Sequence, residues 1–397
     1  MTTTATTQRI TAGGMVNMHD HLRSFLAPSS ASDALGLAEV VARAGAAQAA
    51  AEPADVRALT ALAAARQLLA GTTTTIDHVY PVHREGMLPA VIAGHRSVGL
   101  RGLVALGIQT VGRPELCAPV DRIAELALAA ADDLLPREAL YLAPVSLRQN
   151  RLTDYREAAG HARRLGVGLY THIAENPAEV EQCLSATGRR PVEFLYEQGF
   201  LGPRTVVVHA ICLTDHEISL LADTGTTVVY CPTNHARLAK PVARVVDLLA
   251  AGVRVTLGVD GTESLWHEMR AAAAVQGQAA GRPGVLPTPQ AWRLATEAPR
   301  EALLANGFED SFDAGDEVVV DASTVCQPLA DPQWALVHRV TPREVVDVTV
   351  AGRAAVREGR LVQADLQELV RAACEATNRI ALRSGRSTLR SPSGSGS

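Results

Sequence analysis

The chain has 397 residues, of which 47% are hydrophobic, a formal net charge of −5 and a pI near 6.2. It is long enough for a barrel of roughly 250 residues plus an accessory piece. It carries no basic tract to engage nucleic acid or anionic lipid, and no apolar run of the roughly 20 residues that a bilayer demands. The first eleven residues are Thr-rich, with neither a basic start nor an apolar segment. The six cysteines, at 117, 183, 212, 231, 326 and 374, show no pairing motif and read as reduced thiols. Together these features point to a soluble cytoplasmic protein that binds neither nucleic acid nor membrane.

The first barrel strand is expected in Gly13–His21, where an apolar run ends in His19-Asp20-His21. On a strand, residues i and i+2 share a side, so the two imidazoles face one space. A long Ala-rich helical region follows, roughly 33–70. Further strands are expected at Thr72–Asp77, Gly102–Gly107, Leu140–Pro144, Gly168–His172, Thr205–His209, Thr226–Tyr230 and Arg254–Val259. Helices are expected between them near 85–98, 118–134, 151–165, 177–198, 214–224 and 241–250, with another at 264–280. Eight strands alternating with helices imply an α/β architecture, a closed (β/α)8 barrel with right-handed crossovers. An open doubly wound sheet is disfavoured because no Gly-x-Gly-x-x-Gly turn follows the first strand.

The expected organisation is a short N-terminal segment at 1–12, the barrel at 13–310, a small β piece at 311–362, a helix at 363–386 and a disordered tail at 387–397. Helical segments fall around 288–306. The β piece is expected to hold strands at Glu317–Asp321, Ala335–His338, Val345–Val350, Arg353–Val356 and Arg360–Val362.

In such a barrel the residues at the C-terminal strand ends converge on one mouth. His19 and His21, His172, His209 and Asp260 all fall there. His19, His21, His172 and Asp260 offer three nitrogens and one carboxylate, suited to a single divalent ion, zinc before ferrous iron. Such a cation brings the pKa of its water toward neutrality. Asp260 is read both as a ligand and as the acceptor of that water's proton. Glu175, three residues beyond His172, is read as the group that carries a proton to the leaving side. His209 is assigned to polarising the water or the developing charge, with a ligand role as second choice. Loop residues His78, Tyr80, His83, Arg148, His235 and His267 are the candidates for contact with substrate. The remaining histidines, His95, His161, His216 and His338, are read as surface or helix residues.

These stretches resemble the amidohydrolase superfamily, in the branch of triazine hydrolases, guanine deaminase and methylthioadenosine/S-adenosylhomocysteine deaminase. The resemblance is carried by Gly14–His21, Gly71–Thr74, Thr171–Glu175, Val208–Ala210, Leu221–Thr226 running on to Cys231–Thr233, Leu257–Gly261 and Glu268–Arg270. It implies the same ligands and the same catalytic pair, Glu175 and His209. Wider relatives bridge two metals with a carbamylated lysine. The only lysine here is Lys240, so the expectation is one metal per chain. Relatives also begin with about fifty residues of β structure where this chain has a dozen. The side piece is therefore expected to be either reduced or completed by something else, another subunit being one option, and the chain is expected to form a homodimer or larger homo-oligomer. His235 stands where relatives have asparagine, and the Asp260–Glu268 segment is shorter than usual. The expected activity is release of ammonia from a small planar nitrogen heterocycle. Removal of halide or alkylamine, or opening of a cyclic amide, is the alternative at the same site. A non-catalytic scaffold is the other rival.

Overall fold

The computed structural model describes residues 8–24, 35–261, 264–308, 315–323, 325, 327 and 331–385. Eight parallel strands run in sequence order around one sheet: β2 (Met15–Asp20), β3 (Thr72–Val79), β4 (Arg101–Ile108), β5 (Leu140–Pro144), β6 (Gly168–Ile173), β7 (Thr205–His209), β8 (Thr227–Tyr230) and β9 (Arg254–Leu257). The ring closes where the backbone N–H groups of Val259 and Asp260 donate to the His19 carbonyl, at 3.0 and 3.1 Å. Asn17 Oδ1 reinforces the seam by accepting from Val259 N–H at 3.0 Å.

Alternation along the strands builds the core in two layers. Val16, Met18, Ile76, Leu103, Ala105, Tyr141, Ala143, Tyr170, Val206, Val208 and Val229 gather in one cluster that fills the barrel. The residues between them, such as Val104, Leu106, Leu142, Val207 and Val228, pack beneath the surrounding helices. Both faces of every barrel strand are thus covered, as a parallel sheet requires.

A second, antiparallel sheet stands beside the barrel in the order β1 (Arg9–Gly13), β10 (Glu317–Asp321), β11 (Val345–Val350), β12 (Arg353–Arg357) and β13 (Arg360–Leu361). The segment read as a separate N-terminal piece therefore supplies a strand, with Arg9 paired to Asp321 and Gly13 to Glu317. Its Gly14 marks the crossing from one sheet to the other, where a Cβ would lie 2.4 Å from the Thr73 side chain.

Several expectations are corrected. Ala335–His338 lies in a helix, Pro332–His338, rather than a strand. Asp331 caps it through Trp334 N–H, and Pro332 sits at its first turn, signals that outweigh the local apolar run. The Ala-rich region breaks before Pro53 into Leu37–Ala50 and Pro53–Leu69. The expected 177–198 helix ends at Thr187, where Gly188 takes a left-handed conformation (φ 70°), and resumes at Pro191. Helices Thr288–Arg293 and Glu297–Ala305 divide 288–306. The start of the Ala-rich region, Cys326 and the tail 387–397 lie outside the described residues. Among the described residues, five cysteines are unpaired and no helix is long and apolar enough to cross a membrane.

Candidate active site

Three imidazoles meet at the C-terminal mouth of the barrel, each oriented by a partner on its Nδ1. His21 Nδ1 donates to the His78 carbonyl at 2.8 Å, and His172 Nδ1 to the Val145 carbonyl at 2.7 Å. A carbonyl only accepts, so Nδ1 carries the proton and Nε2 the lone pair. His19 Nδ1 lies 2.7 Å from the Tyr170 hydroxyl, which itself donates to the Met18 carbonyl at 2.9 Å. The hydroxyl proton is thus committed, and His19 likewise turns a lone pair inward from Nε2. Burial and the neighbouring imidazole of His19 hold His21 down to about 4 and His172 to about 3, so both are neutral at pH 7.

The inward groups face one another without a proton between them. His19 Nε2 is 3.3 Å from His172 Nε2 and 3.3 Å from Asp260 Oδ1. Lone pairs and a carboxylate at that spacing repel unless a cation sits among them. His19, His21, His172 and Asp260 are therefore residues that could hold a divalent ion, and one nitrogen from each of His19, His21, His78 and His172 lies within 4.8 Å of the others. His19, His209 and Asp260 also bring one ligand atom each within 4.8 Å of the others, which keeps His209 at the edge of the same centre.

Glu175 lies beside this centre in a cage of charge. Lys240 Nζ is 2.7 Å from its Oε1 and Arg148 2.7 Å from its Oε2. Burial opposes ionisation, but Lys240 and Arg148 outweigh it and pull the carboxyl down to about 2. Arg148 also reaches Glu179 at 3.3 Å, and burial raises that carboxyl to about 7. His209 Nε2 is 3.5 Å from Glu175 Oε1, and its Nδ1 is 3.0 Å from His235 Nε2. Since the ionised Glu175 only accepts, the consistent arrangement puts a proton on His209 Nε2 and has His235 donate to Nδ1. Ala174, His209, Ala210 and Asp260 all take positive φ, from 45° to 76°. Such strain in residues with side chains gathers where the backbone must aim a functional group.

Residues 10–307 match the amidohydrolase family. The chain belongs to it. This amidohydrolase is accordingly a hydrolase acting on carbon–nitrogen bonds other than peptide bonds. It is 30% identical over 289 residues to the 5'-deoxyadenosine deaminase of Methanothrix thermoacetophila, covering 72% of this chain and 67% of that one. It is 32% identical over 325 residues to the 5-methylthioadenosine/S-adenosylhomocysteine deaminase of Syntrophobacter fumaroxidans, covering 78% and 72%. Among solved structures, an adenosine deaminase from Xanthomonas campestris with bound zinc superposes with a TM-score of 0.85 at 26% identity, covering 94% and 86%. The zinc complex of atrazine chlorohydrolase from Arthrobacter aurescens shares the fold, with a TM-score of 0.84 at 22% identity and 93% and 88% coverage.

Within the amidohydrolase barrel, the sequence-predicted groups fall into three places. His19, His21, His172, Asp260, Glu175 and His209 converge. Of the substrate candidates, Tyr80 and His78 stand over the centre, with ring centroids 5.5 and 5.2 Å from that of His21. Arg148 is held by Glu175 and Glu179, and His235 by His209. His83 is half-buried beside Arg84, and His267 lies on helix Leu265–Ala279 with Nδ1 3.3 Å from Ser264 Oγ; neither joins the cluster of potential ligands among the described residues. His95 is on a helix, yet buried, with Nε2 3.1 Å from Asp77.

Sequence reasoning missed Tyr170 and Lys240. Tyr170 sits two residues before His172 on β6, and that same-side spacing was the available signal. Lys240 follows the short helix Pro232–Arg237, itself absent from the sequence reading, and only the fold brings it to Glu175.

Proposed function

We propose that this amidohydrolase is a deaminase that removes an amino group, as ammonia, from the ring carbon of a small planar nitrogen heterocycle. Adenosine-type nucleosides, the compounds for which its relatives are named, are the first candidates. The observation that carries this reading is the 3.3 Å approach of His19 Nε2 to both His172 Nε2 and Asp260 Oδ1, with Glu175 alongside. His19, His21, His172 and Asp260 would hold one divalent ion, zinc by preference. When bound, such an ion supplies water acidic enough to attack at neutral pH.

The chain's own groups account for the proton traffic. Asp260 is a ligand and a proton acceptor at the face where attack occurs. Glu175, kept ionised by Lys240 and Arg148, accepts a proton beside the ring and returns it to the departing amine. His209, with its proton directed into the site, donates to negative charge as it develops on the substrate. Tyr80 supplies a flat aromatic wall for a ring.

Unpaired Cys183 and Cys231, both buried, support a reducing cytoplasmic setting. The edge strand β1 of the side sheet supports association into a homodimer, which light scattering would test. The function itself is tested by metal analysis and an ammonia-release screen of purines, pyrimidines, pterins and triazines with zinc-loaded protein. About one zinc per chain with ammonia formed from one of these classes is expected. Chloride, alkylamine or ring-opened product in place of ammonia would overturn the deaminase reading.

A further inference from the structure

Arg23 sits on the 3₁₀ turn Leu22–Ser24 that follows the first barrel strand, and it is only 5% exposed. Among the described residues, its Nε and one terminal nitrogen, Nη2, have no hydrogen-bond partner. Two carboxylates of the surrounding elements are spent elsewhere. Asp55 is paired with Arg379 and Arg383, and Asp77 with His95 and the Leu22 N–H. A buried charge is ordinarily paired, and a buried donor ordinarily bonded. The orphaned Nε–Nη2 edge therefore calls for an acceptor that carries negative charge.

That acceptor has a place to sit. Arg23 lines a cavity of about 20 Å³ with Ala47, Gln48, Val56, Leu59 and Ile380 among its walls. The space admits one body of about the size of a water molecule and is too small for an organic ligand. A water there would accept from both N–H groups yet leave the positive charge buried. A monovalent anion accepts from both and also neutralises the charge. The Nε–Nη2 edge is the fork with which arginine grips anions. Arg84 adds positive charge nearby, since it donates to the Ala49 carbonyl at 3.0 Å, one residue beyond Gln48 on the same helix.

We propose that this cavity is a binding site for one small monovalent anion, chloride first, held by Arg23 through Nε–H and Nη2–H. The guanidinium carbon lies 5.3 Å from the centre of the Tyr80 ring. The anion thus steadies a cation packed on Tyr80 and the turn that begins directly after His21. It lies outside the cluster of potential metal ligands, so the inference stands apart from the identity of metal and substrate.

Bromide replaces chloride and scatters anomalously, which gives a direct test on the full chain. Crystals grown in sodium gluconate, whose anion is too large for the cavity, are soaked in sodium bromide. An anomalous peak is expected within hydrogen-bond reach of Arg23 Nε and Nη2. In solution, the melting temperature should rise saturably, by at least about 1 °C, as chloride replaces gluconate at constant ionic strength. Arg23→Met should lose that response, while the exposed-helix control His216→Ala keeps it. If Arg23→Met does not fold, the bromide crystal and the wild-type titration decide. Bromide at surface positions alone, an adventitious ion only, overturns the proposal. A water in the cavity with chloride-independent melting overturns it too, as does an equal chloride response in wild type and Arg23→Met.

Discussion

Lys240 Nζ lies 2.7 Å from Glu175 Oε1, with both side chains only 4% exposed. It is the only lysine in the chain, and it also reaches Asn234 Oδ1 at 2.8 Å, whose amide donates to the Asp260 carbonyl at 3.1 Å. One ammonium thus ties the two carboxylate-bearing strand ends together. A buried hydrogen bond to a charged group contributes roughly 1.5–3 kcal/mol. Lys240→Met is expected to lower kcat by about ten- to a hundredfold, with part of the loss recovered in Lys240→Arg. Steady-state kinetics on the zinc-loaded proteins decides it, and a Met variant with wild-type kcat would remove Lys240 from the working site.

Glu175 and Asp260 should separate by what their loss does to the ion. Glu175→Gln keeps shape but loses the charge that accepts a proton, which costs about 10²- to 10⁴-fold in turnover. Zinc content should stay at the wild-type level, because Glu175 is bonded to Lys240 and Arg148 rather than to the imidazole cluster. Asp260→Asn should lose turnover and zinc affinity together. Metal analysis on both variants alongside kinetics is the check. Zinc loss in Glu175→Gln, or full retention with activity in Asp260→Asn, would reverse their roles.

The chelator-treated protein should be acid-labile over a definable range. His21 and His172 titrate near 6.5 when unfolded, and near 4 and 3 when folded. Folded pKa values below the unfolded ones mean that the unfolded chain binds more protons between them. Stability is then full above pH 6.5 and falls as pH drops toward 4 and 3. Glu179 and Asp20, both raised to about 7 by burial, act in the opposite direction over the same range. The decline in melting temperature from pH 8 to pH 4 should therefore be steeper in Glu179→Gln than in wild type, and an equal or shallower decline in that variant would contradict this balance.

The parts of this site legible in the sequence are those that regular structure places. His19 and His21 share a side by strand periodicity, and His172, His209 and Asp260 fall where barrel strands end, so counting strands was enough to bring them together. Lys240 was not legible, because its approach to Glu175 depends on a short helix and the turn after it rather than on any period. Tyr170 was hidden for another reason. On pattern alone a tyrosine in an apolar strand is core, and its hydroxyl gains meaning only once the His19 ring is found 2.7 Å away. The Pro332–His338 helix shows the limit of reading apolar runs as strands when a capping Asp and a Pro precede them. The β1–β10 pairing across residues 9–13 and 317–321 was out of reach for a further reason: its partners are some three hundred positions apart.

Gly258 gives a prediction in which packing, rather than charge, controls the proposed metal site. It follows β9 directly, at the seam where the ring closes on β2. A Cβ built there would lie 2.7 Å from His19 Cβ, 2.8 Å from the Val229 side chain and 3.0 Å from Cys231 Sγ. None of these is the loose end of a flexible chain, since Val229 and Cys231 are fully buried. Overpacking of this kind costs about 1–3 kcal/mol. The strain should fall on His19, whose ring is otherwise fixed by Tyr170 and whose carbonyl closes the barrel. Gly258→Ala is therefore expected to fold with a lower melting temperature and to bind zinc more weakly than wild type. The same change at Gly166, where a Cβ meets nothing within 4 Å, should leave zinc affinity as it was despite its positive φ. Thermal melts and chelator competition on the two variants make the comparison. Equal zinc affinity in Gly258→Ala and wild type would show that the seam yields without moving His19.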